Sequence, residues 1–165
     1  MCAKRLNSPL TVSPMPNRPH LDLDRFMPYR FSIVTNRVSS AIARHYSARF
    51  NLTIPEWRVI AVLGQTPGLS ARQVAARTAM DKVQVSRAVA SLLVARRLTK
   101  QAHASDGRST HLSLSAKGQA IYDEVVPLAL NLETQFLSVL TPKERKTLDQ
   151  LLSKLAASAA SMTSR

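Results

Sequence analysis

The sequence predicts a mainly α (α+β) chain in which a helix-turn-helix is followed by a two-stranded hairpin. Three observations predict it. Thr53, Ser70 and Thr141 each stand three residues before Glu56, Gln73 and Glu144, the spacing at which a hydroxyl and a carboxylate or amide satisfy the orphan N–H groups of a helix start. Val85, Ala88, Val89 and Leu92 recur at i, i+3, i+4 and i+7, so one stripe of their helix is buried. Between Leu98 and Leu114 the period shortens: Leu112 and Leu114 alternate with Ser113 and Ser115, and Asp106-Gly107 supplies a hairpin turn.

Residues 1–20 contain Pro9, Pro14, Pro16 and Pro19 and no apolar period, which predicts a flexible tail. Val34, Val38, Ile42, Tyr46 and Phe50 then recur at helical spacing with no glycine or proline after Pro28, a long helix ending near Asn51. The capping signals place helices over 54–66, 70–79 and 141–160, and Asp81 with Gln84 starts another over 81–97. Gly64 and Pro67-Gly68 break the chain before the second of these. Ile121, Val125, Leu128 and Leu132 make one stripe of a helix over 116–138, which Pro127 should kink unless a neighbour supports the bend.

Charge narrows the function. Lysine and arginine number 23 against 10 acidic residues, a net +13 with a pI near 11.1. So large a surplus repels itself unless a polyanion neutralises it, either nucleic acid or an anionic membrane surface. No run of about eighteen apolar residues spans a bilayer, and the proline-broken start is neither a signal nor a transit segment, so a cytoplasmic location is expected. Cys2 is the only cysteine, which excludes a disulfide or a cysteine-based metal site within one chain. In a flexible tail it also lacks the electropositive pocket that lowers a thiol pKa. There is no Gly-rich phosphate loop, nucleophile elbow or carboxylate pair, and His20, His45, His103 and His111 fall on unlike elements. Neither an enzyme nor a cofactor is expected.

Opposite its buried stripe, the 81–97 helix carries Lys82, Gln84, Ser86, Arg87 and Ser91. Glutamine pairs with adenine in two places, arginine with guanine O6 and N7, and a helix-turn-helix uses the N-terminal part of its second helix this way. A polar outer face is ordinary in soluble helices; the adjoining hairpin makes the difference. Lys100, His103 and Arg108 bring positive charge to or near its tip, and Asp106 is spaced to orient Arg108 across the turn. An arginine on a narrow hairpin suits the negative potential of the minor groove. The rival reading is a basic architectural DNA-binding protein, or a membrane-surface binder, without sequence preference. It explains the charge but not an Asp-x-Arg hairpin beside a capped helix pair.

The segments IPEWRVIAVL, LSARQVAARTAMDKVQVSRAVASLLVARRLTK and SDGRSTHLSLSAKG, spanning Ile54 to Gly118, resemble the MarR family of bacterial regulators. With its flanking helices the resemblance covers about Leu21 to Leu155. Two departures stand out: Ser115 where the family usually has threonine, and no glycine near Arg97, where it often has one. The resemblance implies a winged helix-turn-helix over 54–117 and a helical dimerisation domain built from 21–53 plus 118–160. It implies an obligate homodimer on a pseudo-palindromic duplex, usually as a repressor, with Arg108 in the minor groove and the 81–97 helix in the major groove. Ser70 and Gln73 would approach phosphates. Independently, the stripe Leu148, Leu151, Leu152, Leu155 needs a partner surface, and two-fold symmetry would set the recognition helices about one DNA turn apart.

Members of this family commonly release DNA when a small aromatic or acidic molecule enters a cleft between the dimer helices and the DNA-binding lobe. Tyr29, Asn36, Arg37 and Trp57, with His45 and Arg58 nearby, fall at the junction of the first two helices. Aromatic surface beside a guanidinium suits an aromatic carboxylate or a CoA thioester, although Trp57 at helical spacing from Ile60 also fits plain core. A peroxide-sensing branch uses a cysteine near the start of the first helix; Cys2 lies too early for that.

Overall fold

The computed structural model describes residues 20–78, 80–102 and 110–163. The expected tail (but for His20) and the hairpin-tip residues His103, Asp106 and Arg108 therefore lie outside the described residues. The chain divides into two compact units, Met1–Val34 and Thr35–Arg165. In the first, the N–H groups of Arg25 and Phe26 donate to Asp22 O, a turn that leads into α1 (Met27–Phe50). Pro28 sits in the opening turn of that helix, where an N–H would have no partner anyway.

The second unit holds the rest of α1, then α2 (Ile54–Gln65), α3 (Ala71–Thr78), α4 (Lys82–Val94), β1 (Leu98–Ala102), β2 (Thr110–Leu114), α5 (Ala116–Phe136), a 3₁₀ turn (Leu137–Val139) and α6 (Pro142–Thr163). Every helix and both strands expected from the sequence are present. β1 and β2 pair antiparallel, from Leu98 opposite Leu114 to Ala102 opposite Thr110. The helical assignment of α5 runs unbroken through Pro127, just beyond Ile121 and Val125, which are buried in the core.

The core is one cluster, with Tyr46 and Leu52 joining Val59, Ile60 and Leu63 of α2, Val74 of α3, Val85 and Leu92 of α4, Leu112 of β2 and Val125 of α5. Each such side chain contributes about 1.5–3 kcal/mol by leaving water. Burial also pushes the Tyr46 phenol up to about 12, partly countered by the Arg58 charge. By contrast, no described residue of α6 is fully buried: Leu148, Leu151, Leu152 and Leu155 remain 36%, 51%, 48% and 50% exposed.

The helix expected over 81–97 ends at Val94, and the reason is local. Arg96 takes the left-handed conformation, φ 55°. The Arg97 N–H then donates to Leu92 O at 2.8 Å and the Arg96 N–H to Leu93 O at 3.0 Å, the paired bonds of a Schellman ending. Glycine normally occupies that position because a Cβ crowds the following carbonyl. The missing glycine noted in the sequence is therefore replaced by a strained arginine. The next close approach does carry glycine: a Cβ on Gly118 would sit 2.1 Å from Arg97 O. Arg96→Gly should raise the unfolding free energy by roughly 0.5–1 kcal/mol, relief of the clash less the added chain entropy. A urea titration with an unchanged slope and a lower midpoint would contradict the assigned strain.

Candidate nucleic-acid interface

Each start in the helix pair is built by the residues that the spacing singled out. At α3 the Ser70 N–H and hydroxyl donate to Gln73 Oε1 at 2.8 and 2.9 Å, and Gln73 N–H returns to Ser70 Oγ at 3.3 Å. The expected phosphate contacts thus begin from a committed pair: the cap uses the Gln73 amide oxygen, not its nitrogen. At α4 Asp81 Oδ1 accepts the Gln84 N–H at 2.7 Å. Thr78 and Met80, flanking the link between the helices, are buried, and the Thr78 hydroxyl donates to Val74 O at 2.9 Å. The turn is therefore anchored from both sides.

With Val85, Ala88, Val89 and Leu92 buried, α4 leaves Lys82, Gln84, Ser86 and Arg87 exposed, as does Lys100 on β1. Arg72 and Arg77 of α3 add exposed positive charge, and Arg77 donates to Thr66 Oγ1 at 2.8 Å. Long donors on a rigid helix, backed by cations, match base edges and phosphates.

The hairpin is stitched to the helix pair at its base. Gly68, at φ 77°, donates its N–H to Leu112 O at 2.9 Å, and Leu112 N–H donates to Leu69 O at 2.9 Å. His111 Nδ1 lies 2.5 Å from Gly68 O, a contact that requires the proton on that nitrogen. The strands that carry the tip thus extend the turn before α3.

A second junction escaped the sequence reading. Glu56, the capping partner of Thr53, is only 7% exposed and also accepts the Ser91 hydroxyl of α4 at 2.5 Å. It receives the Thr53 N–H at 2.7 Å and the Thr53 hydroxyl at 2.8 Å. Burial opposes its ionisation, but the bonds from Ser91, from the Thr53 N–H and from the Thr53 hydroxyl, with the nearby Arg97 charge, outweigh it and hold the carboxyl below its ordinary 4.5. Arg97 itself donates to Phe50 O and Asn51 O at the end of α1, and its backbone O accepts the Ser115 N–H at 3.0 Å. The capping spacing revealed Glu56 as a cap; a partner 35 residues away leaves no local signal.

Asn36, Arg37 and Trp57, expected around a ligand, are not among the residues lining the cavity of the second unit. Asn36 and Arg37 are exposed on α1, and Tyr29, also exposed, belongs to the other unit. Trp57 is half-buried, its ring 5.5 Å from Tyr46 and 6.4 Å from Tyr122, a packing role. A cavity of about 660 Å³ lies instead among Val38 and Ile42 of α1, Val62 and Gln65 of α2, Tyr122, Val126 and Glu133 of α5, and Arg145, Asp149 and Leu152 of α6. Its wall is mostly apolar, with two carboxylates against one guanidinium. Among the described residues no histidine, cysteine and carboxylate cluster suits a metal ion, and no helix is long and apolar enough to cross a membrane.

The acid limb of stability tests the buried carboxylate. Because folding lowers the Glu56 pKa, its contribution is complete above the ordinary value of 4.5 and is lost as pH falls through the folded value. Glu56→Gln should cost about 1–3 kcal/mol at neutral pH and flatten the loss of stability below that value. A variant with the wild-type acid profile would remove Glu56 from this role.

Comparison with known proteins agrees with this geometry. The sequence pattern of the MarR family matches residues 50–109. The HTH-type transcriptional repressor Rv2887 of Mycobacterium tuberculosis is 26% identical over 122 residues, 72% of this chain and 88% of that protein. The MarR/EmrR family transcriptional regulator from Acinetobacter sp. ADP1 superposes with a TM-score of 0.79 at 26% identity, covering 86% of this chain and 99% of the other. BpsR of Bordetella bronchiseptica, whose DNA binding is regulated by 6-hydroxynicotinic acid, superposes with a TM-score of 0.69 at 24% identity, covering 79% and 98%. At that identity the likeness to BpsR concerns the fold alone.

Proposed function

Because the chain belongs to the MarR family of winged helix-turn-helix transcription regulators, we propose that it is a ligand-responsive repressor that binds a pseudo-palindromic operator as a homodimer. The observation that carries the reading is α4: four long or small polar side chains, Lys82, Gln84, Ser86 and Arg87, exposed on a helix whose other side is locked into the core. Residues 54–117 form the DNA-binding part, in which α4 enters the major groove, Ser70, Gln73 and Lys100 approach the backbone, and His103, Asp106 and Arg108 serve at the minor groove. Residues 21–53 and 118–160 form the dimerisation part. The four exposed leucines of α6 support it, since an apolar stripe of that kind on a terminal helix is covered by a second copy at little further cost.

The effector site of this proposal is the cavity beside α2 and α5 rather than the neighbourhood of Asn36, Arg37 and Trp57. Its volume falls in the range of small-molecule pockets. A small aromatic acid fits its chemistry better than a CoA thioester: one carboxylate pairs with Arg145, whereas several phosphates would also meet Glu133 and Asp149.

Binding to the promoter of its own gene should exceed binding to random duplex by ~10³-fold or more, measured near physiological salt of ~150 mM. Arg108→Ala should weaken the specific complex by ~1–3 kcal/mol with the dimer intact. Equal affinities for the two duplexes would favour a basic architectural protein instead. In the same assay, and in thermal shift, aromatic acids should stabilise the protein and release the promoter more effectively than their CoA esters; stabilisation by the esters alone would reverse the assignment.

A further inference from the structure

The outer face of α4 is not uniformly polar. At about 100° per residue, Val83 points opposite the buried Val85, Ala88, Val89 and Leu92, with Arg87 and Ala90 along the same outward line. Val83 is 58% exposed. It does not cap the helix, a task Asp81 performs, and a β-branched residue adds little to helix stability. Its neighbours Lys82, Gln84, Ser86 and Arg87 are all exposed and polar. Val83 is therefore an isolated apolar group within a hydrogen-bonding surface, unlike the contiguous leucines of α6. Val94 shares the line but lies about 16 Å further along the axis, at the other end of the helix.

Among the groups that base pairs present in the major groove, the thymine C5 methyl is the apolar one. We propose that Val83 reads a thymine methyl in each half-site, an assignment that rests on α4 being the major-groove helix. A valine neither donates nor accepts, so cytosine at that position would bring a donor edge against methyl groups with nothing to receive it. Thymine leaves a methyl–methyl contact in its place. Arg87 follows Val83 by one turn, about 6 Å along the axis, close to two base-pair steps of ~3.4 Å. The thymine thus lies within about two base pairs of the guanine that Arg87 pairs with.

The experiment removes only that methyl. A preferred duplex is first selected from a random library with the full-length protein. Each thymine is then replaced singly by deoxyuridine, and affinities are measured for wild type and for Val83→Ala, whose thermal midpoint confirms folding. The expected result is one thymine per half-site at which loss of the methyl weakens wild type about fourfold, the value of one buried methyl, and leaves Val83→Ala unchanged within twofold or so. Wild type indifferent to every deoxyuridine, or an effect that persists undiminished in Val83→Ala, overturns the assignment while DNA reading by α4 stands. Failure to enrich any sequence overturns the reading of α4 and this assignment with it.

Discussion

A carboxylate taken out of water must be satisfied on every side, and Glu56 is the carboxylate on which the junction of α2 with α4 is organised. It closes the start of α2 through Thr53 and reaches across to Ser91 on α4, with the Arg97 charge close by. Removing one partner of a buried ion leaves the rest of its desolvation uncompensated. The relation between α2 and α4 is therefore held by a group that tolerates little displacement. Arg97 extends the junction, binding the carbonyls at the end of α1 while its own backbone receives the start of α5. One short segment after α4 thus touches the ends of three helices.

This arrangement makes the helix pair and the hairpin base a single presenting surface. The bonds of Gly68 and Leu69 to Leu112 tie the strands to the turn before α3, and the buried Thr78 and Met80 hold the link before α4. A reader of base edges needs that rigidity, because a side chain on a mobile helix loses the fixed geometry on which hydrogen-bond discrimination depends. Elsewhere the molecule leaves apolar surface uncovered. The leucines of α6 and the aromatic residues Phe26, Tyr29 and Phe31 are exposed, which is economical only for the second copy that the proposed dimer supplies.

Local chemistry made most of the fold legible. Capping spacing located α2, α3 and α6 because the hydroxyl and its partner lie within one turn of each other, and the bonds form as expected at Thr53, Ser70 and Thr141. Periodicity identified the buried stripe of α4 because a helix repeats its faces regardless of what packs on them. The cavity proposed for an effector was less legible. Tyr29, Asn36, Arg37 and Trp57 share an aromatic and cationic character, but character does not reveal direction, and Trp57 turns toward Tyr46 and Tyr122. The cavity draws on α1, α2, α5 and α6 together, a convergence no window of sequence contains.

The amino-acid order by itself determined where α2, α3, α4 and α6 begin, which side of α4 is buried and that two strands follow it, since these depend on interactions a few residues long. Only the tertiary structure decided that Glu56 is shared with Ser91 and that Arg96 must take a left-handed conformation to release the chain toward β1. The physical reason is separation. Hydrogen bonds within a turn are set by neighbours in the chain, whereas burial and partnership across elements exist only once distant segments have come into contact.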